Sequence, residues 1–336
     1  MAETKPKKVV VNSSGIKDFG NKYAIYIVLV VLFVAIGLME NSFFSVGNVL
    51  NILIISTIRI IIALGVSGAL ITRGTDLSAG RVVGFTACIA ASLLQRPDYA
   101  YKVFKNAPHL SVFVVILIAI AVGLIIGIGN GLVIAYLKVP PFIATLGMMV
   151  IVYGFACIYT NARPIGGLRD DFTNLASGTV LKIPNLIIIA AVVIFVMWFI
   201  YNKTKFGKYI YAIGGNPDAA EVSGVNVEHT LVKVYALAGA FYGLAGALLA
   251  ARTGGATNNY AQGYELDAIA ACTIGGVSTS GGIGKVSGII TGVLIFEVLN
   301  NGLVVLGVSA YWQQVIKGII IIGAVAFDVK KYLKKK

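Results

Sequence analysis

Apolar runs long enough to cross the ~30 Å hydrocarbon core of a bilayer recur along the whole of this 336-residue chain. Hydrophobic residues make up 58% of it and charged residues only 12%, about half the charge of a soluble domain. Mean hydropathy is +0.88. A β-barrel would need short segments of alternating hydrophobicity, and the sequence has none. The chain therefore reads as an all-α membrane protein, a polytopic helical bundle.

The runs and their breakers give about ten spans, near residues 24–39, 49–71, 78–94, 111–137, 141–159, 183–201, 230–251, 264–276, 286–308 and 312–327. The eighth is too short to cross alone, so one or two spans are expected to be broken or re-entrant. Gly123, Gly127 and Gly131 fall four apart, as do Gly284, Gly288 and Gly292, and Gly239 and Gly243 form another pair. Small residues on one helical face let membrane helices approach closely, and packing is their expected role. Residues 74–80 (GTDLSAG) and 276–282 (GVSTSGG) read as two similar polar kinks, each leading into an apolar helix. Paired interruptions of this kind often flank the path through a transporter.

The net charge of +13 sits largely at the ends. Lys5, Lys7, Lys8, Lys17 and Lys22 precede the first run, and Lys330, Lys331, Lys334, Lys335 and Lys336 follow the last. Such flanks hold chain ends in the cytoplasm and favour contact with anionic lipid head groups. Nucleic-acid binding would want a basic face interleaved with aromatics, and no such face is seen. Ten crossings return both termini to the cytoplasm, together with the loop carrying Lys203, Lys205 and Lys208. The outer loops still contain Arg96, Lys102, Lys105, Arg163 and Arg169, so the charge rule is followed only in part. No small-residue cleavage site follows the first run, which reads as an uncleaved span.

Cys88, Cys157 and Cys272 fall in apolar stretches and read as small buried hydrophobes. His109 and His229 stand alone, so no metal site is expected, and nothing in the sequence calls for a cofactor. No catalytic grouping of Ser, His and Asp and no HExxH motif is present. The stretch Gly281-Gly282-Ile283-Gly284-Lys285 fails as a phosphate loop. Val286 stands where a Ser or Thr must hold Mg²⁺, and Thr279 where Gly is required. If transport is energy-driven, the motor must lie on another chain.

Against this apolar background, residues 204–225 read TKFGKYIYAIGGNPDAAEVSGV, a basic loop with a capped helix in it. Asn216 can accept from a free first-turn N–H, and Pro217 suits the first helical position. Asp218 and Glu221 place negative charge near the positive end of the helix dipole. Gly224 supplies a left-handed stop after about two turns. Ala219 and Ala220 are expected to leave a nearly bare surface that a partner's backbone could approach. The plain alternative is an ordinary interfacial helix between two spans.

Polar residues inside the apolar runs supply candidates for a translocation path. Arg59 lies among isoleucines, and a bare charge there would cost several kcal/mol. Glu297 lies in Leu294-Ile295-Phe296-Glu297-Val298-Leu299 and is followed by Asn300. Asp76 precedes the third run, Glu265 and Asp267 begin the eighth, Asn258 and Asn259 stand just before them, and Trp312 and Gln313 begin the tenth. Amides, carboxylates and an indole suit a hydroxyl-rich solute, with hydrogen bonds at its edges and an apolar ring against its face. Tyr311 and Trp312 fit an interfacial aromatic belt equally well. An ion-coupled carrier could enlist Asp76, Glu265, Asp267 and Glu297, but it would leave the capped helix unexplained.

From about residue 48 to 328 the chain resembles membrane subunits of bacterial ATP-binding-cassette sugar importers, in the group that takes up ribose, galactose, xylose and arabinose. The residues that carry the likeness are Thr204-Lys205-Phe206-Gly207-Lys208, Ala212-Ile213-Gly214-Gly215-Asn216-Pro217 and Ala219-Ala220 up to Gly224. Tyr264-Glu265-Leu266-Asp267-Ala268-Ile269-Ala270-Ala271, the glycines at 275, 276, 281 and 282, and the 74–80 kink add to it. Gly255-Ala256-Thr257-Asn258-Asn259 and Tyr311-Trp312-Gln313 point to the galactose branch of the group, with glucose, ribose or a nucleoside as alternatives. The resemblance implies a single permease domain over 24–328, with basic segments 1–23 and 329–336 and a coupling loop 203–229 in the cytoplasm. It also implies a bacterial cytoplasmic membrane, a homodimer, a cytoplasmic ATPase subunit and an extracytoplasmic sugar-binding protein. The family's coupling helix maps onto 216–224.

Overall fold

Ser45, Ser111, Thr204 and Asn226 each turn a side-chain oxygen onto a backbone N–H three residues ahead, and each starts a helix. The structure is a computed structural model and describes residues 13–105 and 108–333. Lys5, Lys7, Lys8, Lys334, Lys335 and Lys336, whose charges the sequence places at the chain ends, lie outside the described residues. In chain order the helices are α1 (Ser13–Met39), α2 (Val46–Ile71), α3 (Ala79–Leu93), α4 (Val112–Ala135), α5 (Pro141–Thr160), α6 (Asp170–Ser177) and α7 (Asn185–Lys203). After these come α8 (Lys205–Gly215), α9 (Pro217–Val222), α10 (Val227–Thr253), α11 (Tyr264–Ile274), α12 (Val286–Val305) and α13 (Ala310–Leu333). A hairpin of β1 (Thr179–Val180) and β2 (Ile183–Pro184) lies between α6 and α7.

Each of the ten predicted runs holds a helix. Six of them, α2, α4, α5, α7, α10 and α12, are long and apolar enough to cross a membrane. The apolar parts of α1, α3 and α13 are shorter, and α11, with 11 residues, extends only about 16 Å. This is a helical membrane protein. Three elements carry no apolar run of their own and are not evident in the sequence: α6, α8 and the hairpin.

α10 and α2 form the centre and are largely buried, while α4, α5 and α7 present most of their surface outward. α10 packs on α4, α3 and α2, and α2 packs on α12, α11 and α10. α3 touches α4 and α5, as α11 touches α12 and α13. The two sets therefore share one arrangement. They run in opposite directions, because the end of α2 lies beside Gly214 and Gly282 and α10 begins shortly after α8 and α9 at that same end. This is an inverted repeat. It corrects the sequence pairing of the 74–80 and 276–282 kinks: the equivalent segments are 72–78 and 254–263, which lead into the half-length helices α3 and α11.

Those two helices start close together inside the bundle. Asp76, just before α3, accepts a hydrogen bond from Tyr242, midway along α10. A Cβ on Gly80 of α3 would lie 2.0 Å from Glu265 Oε2 and 2.4 Å from the Ala261 carbonyl, at the start of α11. At the far end of the bundle, isolated bridges join Gln95 to Leu168 and Ile165 to Ala256. The glycine spacing on α4 serves packing as the sequence suggests. A Cβ on Gly123 would sit 2.1 Å from the Gly239 carbonyl, so the α4 and α10 backbones touch directly.

Candidate functional site

The capped loop folds as two consecutive helices. The Thr204 hydroxyl accepts from the Gly207 N–H at 3.0 Å and starts α8. After Gly215, Asn216 is extended, and its Oδ1 accepts from the Ala219 N–H at 3.1 Å. Pro217 takes the first position of α9 and Asp218 lies in its first turn. Gly224, with φ +85°, follows the last turn. α9 has six residues, a little under two turns. Asp218, Ala219, Glu221 and Val222 are exposed, and Val222 keeps 92% of its surface in the open.

Ala220 corrects the expected bare face. It is only 5% exposed and packs with Ile213 and Val225, against Val227 and Leu231. Its methyl group seats α9 on α8 and the start of α10, so only Ala219 of the pair faces outward. The apolar side chain that α9 leaves in the open is Val222, which the capping residues alone do not reveal.

α8 is fastened to the body at its C-terminal end. Arg73 donates from Nε to the Gly214 carbonyl at 2.7 Å and from Nη2 to the Gly215 carbonyl. A Cβ on Gly214 would lie 1.8 Å from the Ile71 carbonyl and 2.4 Å from the Gly282 nitrogen, so only glycine allows this approach. Gly282 N–H donates to the Ile71 carbonyl at 2.8 Å, and the Tyr211 hydroxyl donates to the Gly284 carbonyl at 2.9 Å. Asp328 of α13 accepts from Thr279 N–H and Thr279 Oγ1, both at 2.9 Å, and from Ser278 Oγ at 3.2 Å.

Four charges meet inside the bundle. Arg59 Nη1 donates to Asp267 Oδ2 at 2.8 Å, and Lys317 Nζ approaches the same oxygen at 3.4 Å. Arg59 Nε lies 2.8 Å from Glu297 Oε1 but is misaligned for a hydrogen bond, so that contact is electrostatic only. The Arg59 guanidinium also sits 4.8 Å over the Tyr264 ring. Two cations balance two carboxylates, which resolves the cost that a lone Arg59 would carry. Arg59, Tyr264, Asp267 and Glu297 border a small cavity with Phe296 and Val293. α2, α11, α12 and α13 are thereby joined.

Asp76 heads a second buried network. It accepts from Ser78 N–H at 3.0 Å, Ser78 Oγ at 2.6 Å and Tyr242 Oη at 3.1 Å, and Asn130 Nδ2 donates to Ser78 Oγ at 2.9 Å. Glu265 is buried at the start of α11, and among the described residues its Oε2 has no hydrogen-bond partner. Asn258 is half-buried and donates to Cys157 Sγ at 3.1 Å, while its carbonyl accepts from Arg81 at 3.3 Å. Arg81 in turn stacks 4.3 Å over the Tyr153 ring. Asn259 is exposed and Asn300 is buried. Trp312 is exposed at the start of α13, and Gln313 donates to the Val308 carbonyl at 2.8 Å. The path candidates therefore do not form one cluster. Arg59, Asp267 and Glu297 come together, Asp76 and Glu265 brace the two half-helices, and Asn259 and Trp312 lie on the surface.

Outside the spans, Asp171 on α6 is held below the usual carboxylate range, chiefly by hydrogen bonds from the Arg169 guanidinium. Sequence reasoning missed Arg73, Lys317, Asn130 and Tyr242. Lys317 and Asn130 were detectable as single polar residues inside apolar runs. Arg73 stands at the edge of a polar kink, and no local signal gives its partner.

The fold and the charged interior define an integral membrane protein built as an inverted repeat around two half-length helices. Residues 48–325 match the family described as "Branched-chain amino acid transport system / permease component", and the chain belongs to that family: it is a transport permease component, not an enzyme. It is 52% identical, over 93% of its length and 95% of the relative's, to the galactose/methyl galactoside import permease protein MglC of Escherichia coli. The protein of that name from Haemophilus influenzae is 51% identical over 95% of this chain and 97% of its own length. The ribose import permease protein RbsC of Haemophilus influenzae is 38% identical over 90% of this chain and 91% of its own. No solved structure matches the chain.

Proposed function

We propose that this chain is the membrane-spanning subunit of an importer for galactose and methyl galactoside in a bacterial cytoplasmic membrane. One observation carries the substrate: identity above half, over nearly the full length of both chains, with two galactose/methyl galactoside import permeases. Likeness to a ribose import permease is weaker over a similar stretch. ATP is hydrolysed by a separate cytoplasmic subunit, and an extracytoplasmic binding protein delivers the sugar. Two copies of this chain line the path, with anionic lipid around their basic ends. Ten crossings place both termini and residues 203–229 in the cytoplasm, so that α9 projects there as the coupling helix. Asn216, Pro217, Asp218, Glu221 and Gly224 shape it, Ala220 seats it, and Ala219 and Val222 meet the ATPase.

In this reading the sugar passes residues with free surface, among them Asn258, Asn259, Trp312 and Gln313. The buried groups Arg59, Asp76, Glu265, Asp267, Glu297 and Asn300 set the shape of the half-helices beside it. Affinity resides in the binding protein, and a path with few contacts releases its solute when the dimer changes state. The test is uptake of labelled galactose by cells with and without this chain, with methyl galactoside, glucose and ribose as competitors. Galactose uptake that needs the chain and is displaced by methyl galactoside is the expected result. Displacement by ribose alone would transfer the assignment to ribose, and uptake without any ATPase would overturn the importer reading.

A further inference from the structure

We propose that Arg73 is the positioning residue that carries the movement of the docking helix to both half-helices. The proposal rests on α9 being the surface that meets the ATPase. Arg73 follows α2 in a left-handed backbone conformation, φ +63°, which few non-glycine residues adopt. That conformation holds an exposed guanidinium on the last two carbonyls of α8, Gly214 and Gly215. These carbonyls have no partner within their own helix, and they sit at the negative end of its dipole. The next residue, Asn216, already caps α9. Arg73 therefore grips the joint between the two cytoplasmic helices.

From this joint two routes lead inward. Along the chain, Arg73 is three residues from Asp76, which is anchored to Tyr242 and stands just before α3. Through space, Arg73 Cγ would lie 2.3 Å from a Cβ on Gly281, in the loop that leaves α11 and is tied to Ile71 through Gly282. A displacement of α9 carries the α8 terminus with it, because Ala220 packs on Ile213 and Asn216 ends one helix and caps the next. The two-pronged guanidinium transmits a pull as well as a push, which packing alone does not. A lysine at this position keeps the charge but loses the fork geometry.

The test uses the complete transporter in proteoliposomes: this chain, its ATPase subunit and the galactose-binding protein. Labelled galactose moved and ATP hydrolysed are measured in the same vesicles. With Arg73→Ala, galactose moved per ATP is expected to fall about tenfold, within the range of coupling between sites. The ATPase still co-purifies and hydrolysis continues at half the original rate or more. Arg73→Lys is expected to restore part of the ratio. An unchanged ratio in both variants overturns the proposal, as does loss of ATPase assembly in both, since Arg73 would then only shape the dock. The docking reading is checked separately with Val222→Asp: if that variant binds the ATPase as well as the parent does, the reading fails and the Arg73 proposal falls with it.

Discussion

Arg59 and Asp267 stand 208 positions apart in the chain and meet at 2.8 Å between α2 and α11. Glu297 and Lys317 complete the group from α12 and α13. One half of the inverted repeat thus supplies a cation to two helices of the other, and a third adds Lys317. Breaking a buried pair from one side leaves an uncompensated charge and typically costs about 3–5 kcal/mol.

Arg59→Ala should therefore be the most damaging single change in the group, because it strips Glu297 of its contact cation and leaves Asp267 only the longer contact to Lys317. Lys317→Ala leaves both carboxylates their contacts with Arg59 and should cost clearly less. Thermal unfolding of the purified protein in detergent compares them, and equal shifts would show that the four charges do not act as described.

On α9 the two apolar positions should separate cleanly. Val222→Asp should leave unfolding unchanged and weaken ATPase binding by about 2 kcal/mol, the size of an interface anchor. Ala220→Asp should instead lower the unfolding temperature, because Ala220 fills the contact with Ile213 and Val225. Co-purification with the ATPase, read beside the melting curve, distinguishes them. A Val222 variant that binds fully would remove it from the interface.

Gly123 tolerates nothing larger. Gly123→Leu should destabilise by at least about 1–3 kcal/mol, since a side chain there collides with the α10 backbone. Gly147 of α5 faces open space, with no atom within 4 Å of where a Cβ would stand, so Gly147→Ala should stay within about 0.5 kcal/mol of the parent. Unfolding in detergent reads both, and comparable losses would contradict the packing difference.

Asp171 gives a signed pH dependence. Its folded pKa is depressed by Arg169, so its contribution is present above the unfolded carboxylate value and is lost as pH falls through the folded one. Asp171 is half exposed and the pair is screened, so the effect is at most about 1 kcal/mol. Asp171→Asn should lower stability at neutral pH and match the parent once the carboxylate is protonated. A difference that persists undiminished in acid would assign the effect to something other than this pair.

Surface candidates for sugar contact make a separate prediction. Asn259→Ala and Trp312→Ala should change the ranking of galactose against glucose and ribose in competition uptake. Rates unchanged with every sugar would take both residues off the path.

Much of this architecture was legible because membrane helices are written locally. Apolar length marks ten of the helices, and the side-chain oxygen of Asn216 marks the start of α9. α8 escaped because its apolar residues Ile210 and Ile213 are spaced among tyrosines, lysine and glycines in a stretch too mixed to read as a span. Arg59 and Glu297 announced themselves as misplaced charges, but which carboxylate meets which cation depends on how distant helices fold together. Ala220 shows the same limit on a smaller scale. Its size was legible, and its direction was decided by Ile213 and Val225.

The seam between Gly123 and Gly239 has a mechanical consequence. With main chain lying on main chain there, no side chain can re-pack at the crossing, and little slack is left for the two helices to slip by a residue. They behave as a single welded spar, and any opening of a passage must come from other helices swinging about it.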